Sequence, residues 1–171
     1  MCIRDSNAGG LGSLPCAMLS AEAMRKELAA IRAGTTQPFN VNFFCHTPPV
    51  PDPAREAAWR ALLLPYYEEL GVDPDAVVAS PSRTPFDAAA AEVIAEFEPA
   101  VVSFHFGLPS RELLAKVRRW GAKVIASATN VFEAMWLEEH GVDAIIAQGL
   151  EAGGHRGSFL RIDPTAVLGT Q

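Results

Sequence analysis

Four glycines surround a single histidine in the stretch QGLEAGGHRG, residues 148–157. Glycine lets a backbone adopt positive φ and approach a ligand closely, and the imidazole of His155 can exchange a proton near neutral pH. These residue types fit an active-site loop in which His155 acts as an acid or a base. A mobile surface loop with an exposed histidine is the other interpretation of the same residues.

Three further polar side chains, those of Asn42, His105 and Gln148, lie in or directly after apolar runs. An unbonded polar group in such a run is costly, so each side chain needs a partner in the protein or in a ligand. In parallel α/β folds, functional residues gather at the carboxyl ends of the strands. His105 fits a ligand-facing residue and a hydrogen-bonded core histidine equally well. His46 precedes a proline-rich loop, and His140 lies at a predicted helix C-terminus. Neither position indicates a catalytic role.

The chain contains no signature of a phosphate-binding loop, a zinc protease, a serine hydrolase or an EF-hand. Nothing in its histidines, cysteines and carboxylates indicates a metal site. Glycines, amide side chains and one histidine suit a bound flat or anionic cofactor better.

Composition narrows the class of protein further. The 171 residues are 49% hydrophobic and 20% charged, which is typical of one globular domain. The net charge of −6 argues against nucleic acid or an anionic membrane as a partner. The three cysteines are odd in number and widely spaced, which favours reduced thiols and a cytoplasmic location. Composition and motifs do not define an oligomeric state.

Five short apolar runs predict strands, with helical segments between them. The clearest strands are residues 39–44, 100–106, 123–128 and 143–148, and GLGSL, residues 10–14, is a shorter one. WGAKVIASA and HGVDAIIAQ lie 20 residues apart, and each joins a helix end, a glycine and a strand. Such repeated units are typical of a parallel α/β fold. A (β/α)₈ barrel and a doubly wound sheet both fit, although GGLG matches the phosphate-binding turn of the second fold poorly.

Capping residues predict where two of the earlier helices begin and end. Ser20 is the predicted N-cap of a helix that stops at Gly34, and Asp52 caps a second helix with Pro53 at its first position. Pro65 lies inside that second helix and is expected to kink or split it.

The same signals predict two later helix starts. Thr84 is the predicted N-cap of a helix with Pro85 in its first position and Asp87 in its first turn. Asn130 and Glu133 occupy the two positions of a capping box, in which each side chain bonds the other residue's backbone amide.

Five pieces of the chain together resemble the nitronate monooxygenase family, formerly called 2-nitropropane dioxygenases. They are NAGGLGSL, PFNVNFF, VVSFHFGLP, KVIASATN and AQGLEAGGHRGSF, and they extend from about residue 7 to about residue 160. The last piece is the most specific, and all five occur in the family's order.

This resemblance implies an FMN-dependent (β/α)₈ TIM barrel that oxidises alkyl nitronates with O₂ to a carbonyl compound and nitrite, as in nitroalkane detoxification. By motif, Asn42, Gln148 and Gly153 are expected to bind the flavin. His155 matches the family's active-site histidine, which holds the anionic nitronate and removes the α-proton of neutral nitroalkanes. His105 matches, less specifically, a residue that lines the substrate pocket.

The chain also departs from the family pattern at both ends. Residues 1–6, MCIRDS, match nothing in the family and are interpreted as a leader left by gene assignment. Residues 7–171 are interpreted as an incomplete FMN-binding TIM-barrel domain that covers about strands 2 to 6 and lacks strand 1 and strands 7 and 8. We expect such a fragment to bind FMN weakly or not at all, since the family's phosphate site follows strands 7 and 8.

Three alternatives stay open on the sequence alone. One is an FMN-dependent NADH:quinone reductase or an enoyl reductase on the same barrel, because a fold does not define its function. Another is a non-catalytic binding module or an inactive fragment. The third is a doubly wound nucleotide-binding domain, which the poor glycine fingerprint disfavours.

Overall fold

The structure, a computed structural model, describes residues 2–77 and 83–160. The chain divides into two compact units, Met1–His46 with Arg83–Gln171, and Thr47–Ser82. The first unit contains the sheet and every candidate site residue. The described residues of the second, 47–77, form one long helix and one short 3₁₀ helix. The predicted division of the chain after residue 6 stays a prediction.

In the part of the chain that the structure describes, five parallel strands form a single sheet in the order in which they occur along the sequence. This parallel pairing confirms the prediction of a parallel α/β fold. A doubly wound sheet reverses its strand order at a switch point, and the described strands show no reversal. The strands are β1 (Gly12–Pro15), β2 (Phe39–Phe44), β3 (Val101–His105), β4 (Lys123–Ala128) and β5 (Ala144–Ala147).

At least one helix lies between each pair of successive strands, as crossovers between parallel strands require. In the first unit they are α1 (Cys2–Asn7), α2 (Ala21–Gly34), α4 (Ala88–Phe97), α5 (Arg111–Arg118) and α6 (Val131–Glu139). The second unit contains α3 (Pro53–Leu70) and the 3₁₀ helix Pro74–Ala76. Within the described residues, no helix is both long enough and apolar enough to cross a membrane.

The two faces of the sheet differ in chemistry because side chains alternate along a strand. One face carries the core residues of the central strands, including Val41, Phe43, Val102 and Phe104, none of which is more than 2% exposed. They belong to one apolar core with buried residues of α2, α4, α5 and α6. The opposite face of the same strands carries the polar residues that form the candidate site.

Most predicted helix starts are confirmed. Ser20, Asp52 and Asn130 are N-caps whose side chains accept backbone amides of the first turn. Pro65 was expected to kink or split α3; the helix runs through Pro65 without a split, and a kink stays a prediction. Proline there removes only the amide that would bond the carbonyl of Ala61, and both residues are exposed, so water can satisfy that carbonyl.

The predicted start of α4 at Thr84 is wrong. The N-cap is Asp87, whose carboxylate accepts the amide of Ala90 at 2.8 Å. Phe86 accounts for the difference, because its ring is buried against Phe43 and its amide donates to the carbonyl of Phe44 at 2.7 Å. These contacts hold the Pro85–Phe86 segment against the sheet, so the helix begins only after it.

The two candidate caps of α4 can be separated by substitution. We expect Asp87→Ala to lower the free energy of unfolding by about 1 kcal/mol, because an amide of the first turn loses its acceptor. Thr84→Ala is the matched control and should change it by less than about 0.5 kcal/mol. Urea unfolding followed by circular dichroism measures both, and a larger loss for Thr84→Ala would contradict the observed cap.

Candidate functional site

The strand register places polar residues of neighbouring strands side by side on one face of the sheet. Asn42 of β2 is paired with Ser103 of β3, and Phe44 is paired with His105. The loop that follows β5 returns over these carboxyl ends of the strands and brings His155 to them. The predicted gathering of His105, Gln148 and His155 is therefore observed.

A chain of side-chain hydrogen bonds orients Asn42. The amide nitrogen of Asn40 donates to the hydroxyl oxygens of Ser13 at 2.6 Å and Ser103 at 2.8 Å. The Ser103 hydroxyl in turn donates to Oδ1 of Asn42 at 2.8 Å. The amide nitrogen of Asn42 bonds no residue in the described part of the chain. Its two N–H donors are therefore available to another group. Oδ1 of Asn40 is buried and likewise has no partner among the described residues.

Gln148 binds the backbone of the loop that carries His155. Its Nε2 donates to the carbonyl oxygen of His155 at 2.9 Å, and its Oε1 accepts the amide of Gly157 at 2.7 Å. The side chain therefore closes the loop onto the end of β5, a role that the sequence did not indicate.

His105 fixes the same loop from the neighbouring side. Its Nε2 lies 3.0 Å from the carbonyl oxygen of His155, and its Nδ1 lies 2.5 Å from the hydroxyl of Ser127. A carbonyl only accepts, so Nε2 carries the proton, and in the neutral ring Nδ1 accepts from Ser127. Burial lowers the pKa of His105, outweighing the opposite effect of its bond to the His155 carbonyl.

Gly157 lets the loop come this close to the sheet. A Cβ atom at this position would lie 2.5 Å from Cε1 of His105 and 3.1 Å from Oγ of Ser127. No side chain fits there unless the loop moves. Gly153 differs, because no atom lies within 4 Å of the position that its Cβ would occupy.

The ring of His155 lies exposed at the edge of an aromatic cluster. Its centroid is 5.7 Å from that of Phe44 and 6.3 Å from that of Phe106. Its Nε2 lies 3.3 Å from Nη1 of Arg83. A guanidinium only donates, so in this contact Nε2 is the acceptor and the ring is neutral with its proton on Nδ1. Arg83 was not predicted, and no local pattern marks a residue 72 positions away in sequence.

Phe106 and His46 complete the cluster. Phe106 has a φ of +67°, in the left-handed region that bulky residues rarely adopt, and its ring lies 5.1 Å from that of Phe44. The ring of His46 is 6.1 Å from that of Phe106, and its buried Nδ1 has no partner in the described residues. His140, as predicted, is structural: its Nδ1 is 2.7 Å from the carbonyl of Trp136.

Glu133 joins the loop to the end of β4. It is 0% exposed, and its Oε2 accepts both the amide and the hydroxyl of Thr129 at 2.8 Å. Its Oε1 accepts the amide of Phe159 at 2.9 Å and that of Leu160 at 3.4 Å. The reciprocal half of the predicted capping box is therefore wrong, because this carboxylate does not bond the amide of Asn130. The position of Glu133 one turn before buried Leu137 was the signal that it faces inward.

A family model described as nitronate monooxygenase matches residues 4–168. The chain belongs to the nitronate monooxygenase family. It is 49% identical to a nitronate monooxygenase of Paraburkholderia phytofirmans over 96% of its own length and 45% of that protein. It is 42% identical to one of Pseudomonas aeruginosa over 96% of its own length and 47% of that protein.

Solved structures agree with this membership. The structure of a nitroalkane oxidase from Streptomyces ansochromogenes is 34% identical, with a TM-score of 0.79, over 98% of this chain and 48% of that one. A FabK mutant from Thermotoga maritima is 25% identical, with a TM-score of 0.63, over 92% of this chain and 40% of that one. The chain thus spans about half the length of the nitronate monooxygenases that it matches.

The groups at this edge of the sheet fit the flavin on which nitronate monooxygenases depend. A flavin ring is flat and needs hydrogen-bond partners at its edge, and Asn42 has unused donors at this edge of the sheet. The backbone at Gly153 has open space where a side chain would lie. Among residues 2–77 and 83–160, no group of three or more His, Cys, Asp or Glu side chains is arranged to hold a metal ion.

The lowered pKa of His105 predicts a pH dependence of stability. Between its folded pKa and the ordinary value of 6.5, the unfolded chain binds more protons than the folded one. This contribution to the free energy of unfolding is therefore complete above pH 6.5 and decreases as the pH falls below it. Urea unfolding between pH 5 and 8 should show the slope in the native chain and in His140→Gln, and a smaller slope in His105→Gln. An unchanged slope in His105→Gln would contradict this.

Proposed function

We propose that this chain forms part of a flavin-dependent nitronate monooxygenase that oxidises alkyl nitronates with O₂ to a carbonyl compound and nitrite. The observation that carries the proposal is the position of His155, exposed at the carboxyl edge of the sheet with Arg83 at its Nε2. An imidazole and a guanidinium side by side suit an anion such as a nitronate. The similarity to named nitronate monooxygenases supports the same reaction.

We also propose that the sheet is part of a (β/α)₈ barrel, with β1 to β5 as barrel strands 2 to 6. The sequential parallel order supports this, because barrel strands pair with their neighbours in sequence. The polar face of the sheet would then be the barrel interior. A cytoplasmic location is proposed on the three cysteines, all of which are free thiols in the structure.

FMN is the flavin that we propose, and it would supply the electron acceptor for the nitronate when bound. Asn42 would donate to the ring edge, since Ser103 already occupies its oxygen. Gly153 would let the loop backbone approach the ring because its Cα faces open space. Gln148 would act on the cofactor through the loop, because both ends of its amide bind loop backbone.

His155 would hold the anionic substrate and accept a proton at Nε2. That nitrogen has a lone pair in the structure, as its contact with Arg83 requires. With a nitronate, which has already lost its α-proton, the ring would bind a nitro oxygen. With a neutral nitroalkane, the same nitrogen would remove the α-proton. His105 would line the pocket and hold the loop, with its ring 5.6 Å from that of Phe44.

The reaction is tested by nitrite release in air from the complete enzyme of which this chain forms part, with ethyl nitronate and neutral nitroethane as substrates. We expect that enzyme, reconstituted with FMN, to release nitrite from both substrates without NADH, and His155→Ala to lower turnover of nitroethane by roughly 100-fold, the usual effect of losing an acid–base group. His140→Ala is the control and should retain turnover. Equal turnover of nitroethane in the active unsubstituted enzyme and in His155→Ala would exclude the proposed role. Flavin reduction by NADH without nitrite release would favour the reductase alternative.

Arg83 allows a second test, based on substrate charge. We expect Arg83→Gln to raise KM for ethyl nitronate about tenfold, the loss expected for one hydrogen bond to a charged group. KM for neutral nitroethane should change little, and Arg83→Lys should restore part of the nitronate affinity. Arg111→Gln removes another exposed arginine and serves as the control. An equal change of KM for both substrates would contradict a role in anion binding.

A further inference from the structure

We propose that Glu133 is a positioning residue for His155, an inference that rests on the proposed function of His155. Glu133 does not approach the ring of His155. It acts on the backbone that follows that residue, and the contacts between them form a continuous chain.

The hydrogen bonds of Glu133 go to two segments outside its own helix. Oε2 accepts two bonds from Thr129, directly after β4, and Oε1 accepts the amides of Phe159 and Leu160. All four partners are donors, so both oxygens must accept. A carboxylate meets this requirement, whereas a glutamine side chain would face one pair of donors with its own N–H groups. The side chain therefore clamps the loop to the sheet.

The loop depends on such bonds because it forms no helix or strand. Each residue from His155 to Phe159 takes part in at least one hydrogen bond that involves a side chain. The hydroxyl of Ser158 is 3.0 Å from that of Thr129, and it accepts Nε of Arg156 at 3.2 Å. The carbonyl of His155 is held by Gln148 and His105. Glu133 anchors the far end of this segment.

The start of α6 does not need this carboxylate. Asn130 already caps the helix by accepting the amide of Glu133 at 3.0 Å. Burying a carboxylate is costly unless its bonds compensate for the lost water. Those bonds lie at the loop and at Thr129, so the function of this buried side chain lies there as well.

The test compares Glu133→Gln with Glu138→Gln, an exposed glutamate of the same helix. Hydrogen–deuterium exchange of the full chain should show at least tenfold faster exchange at residues 155–160 in Glu133→Gln only. Exchange in β2 to β4 should stay as in the native chain. Thr129→Val removes the hydroxyl that contacts both Glu133 and Ser158 but keeps the amide bond to Glu133, and it should give a smaller increase in the same peptide. Native exchange at residues 155–160 in Glu133→Gln, or an equal increase throughout the sheet, would overturn the proposal.

Nitrite release then separates positioning from general stability. If Glu133 acts through His155, Glu133→Gln should lower kcat at least tenfold in the native background and have no further effect in His155→Ala. Equal losses in both backgrounds would overturn the proposal. Because the exchange measurement needs no nitronate, absence of nitrite from the complete unsubstituted enzyme would count against the proposed function, while the clamp would still be tested.

Discussion

The parallel pairing of β2, β3 and β4 is the constraint on which the candidate site depends. Its register aligns Asn42 with Ser103 and Phe44 with His105, so one face of the sheet receives amides, a hydroxyl and an imidazole while the other receives the core. A shift of one strand by one residue would turn its polar side chains toward the helices and its apolar ones toward the site. The apolar packing of Val41, Phe43 and their neighbours therefore also determines the chemistry of the opposite face.

Side chains, rather than backbone pairing, hold the segment after β5. Gln148, His105 and Glu133 each bond its main chain, and each comes from a different part of the sheet or its helices. Such a segment keeps one conformation only while all of these partners are present, because it has no ladder of its own. Buried polar groups that are fully bonded specify a single arrangement in this way.

Local signals predicted the parts of the fold that local interactions determine. The caps at Ser20 and Asn130 and the strand at residues 39–44 required nothing beyond their own neighbours in sequence. The start of α4 was mispredicted because Phe86 is held by core residues far away in the chain. Glu133 was likewise predicted to complete a capping box, because its spacing from Asn130 fits that motif. Its bonds to Phe159 and Leu160 depend on tertiary structure and leave no local signal. Motif and strand position predicted that His105, Gln148 and His155 lie at the same edge of the sheet, but not the bonds that Gln148 makes.

The left-handed backbone at Phe106 bears on which substitutions the protein can accept at that position. A bulky residue in that conformation carries a strain of roughly 1–2 kcal/mol, yet its ring lies 4.3 Å from that of His105 and forms part of the wall around His155. Glycine or asparagine at position 106 would relax the main chain but remove the aromatic ring that lies near His105 and His155. A substitution at position 106 that raises thermal stability would therefore also change the surroundings of His155. Efforts to make this protein more heat-resistant by relieving strained residues should leave that one untouched.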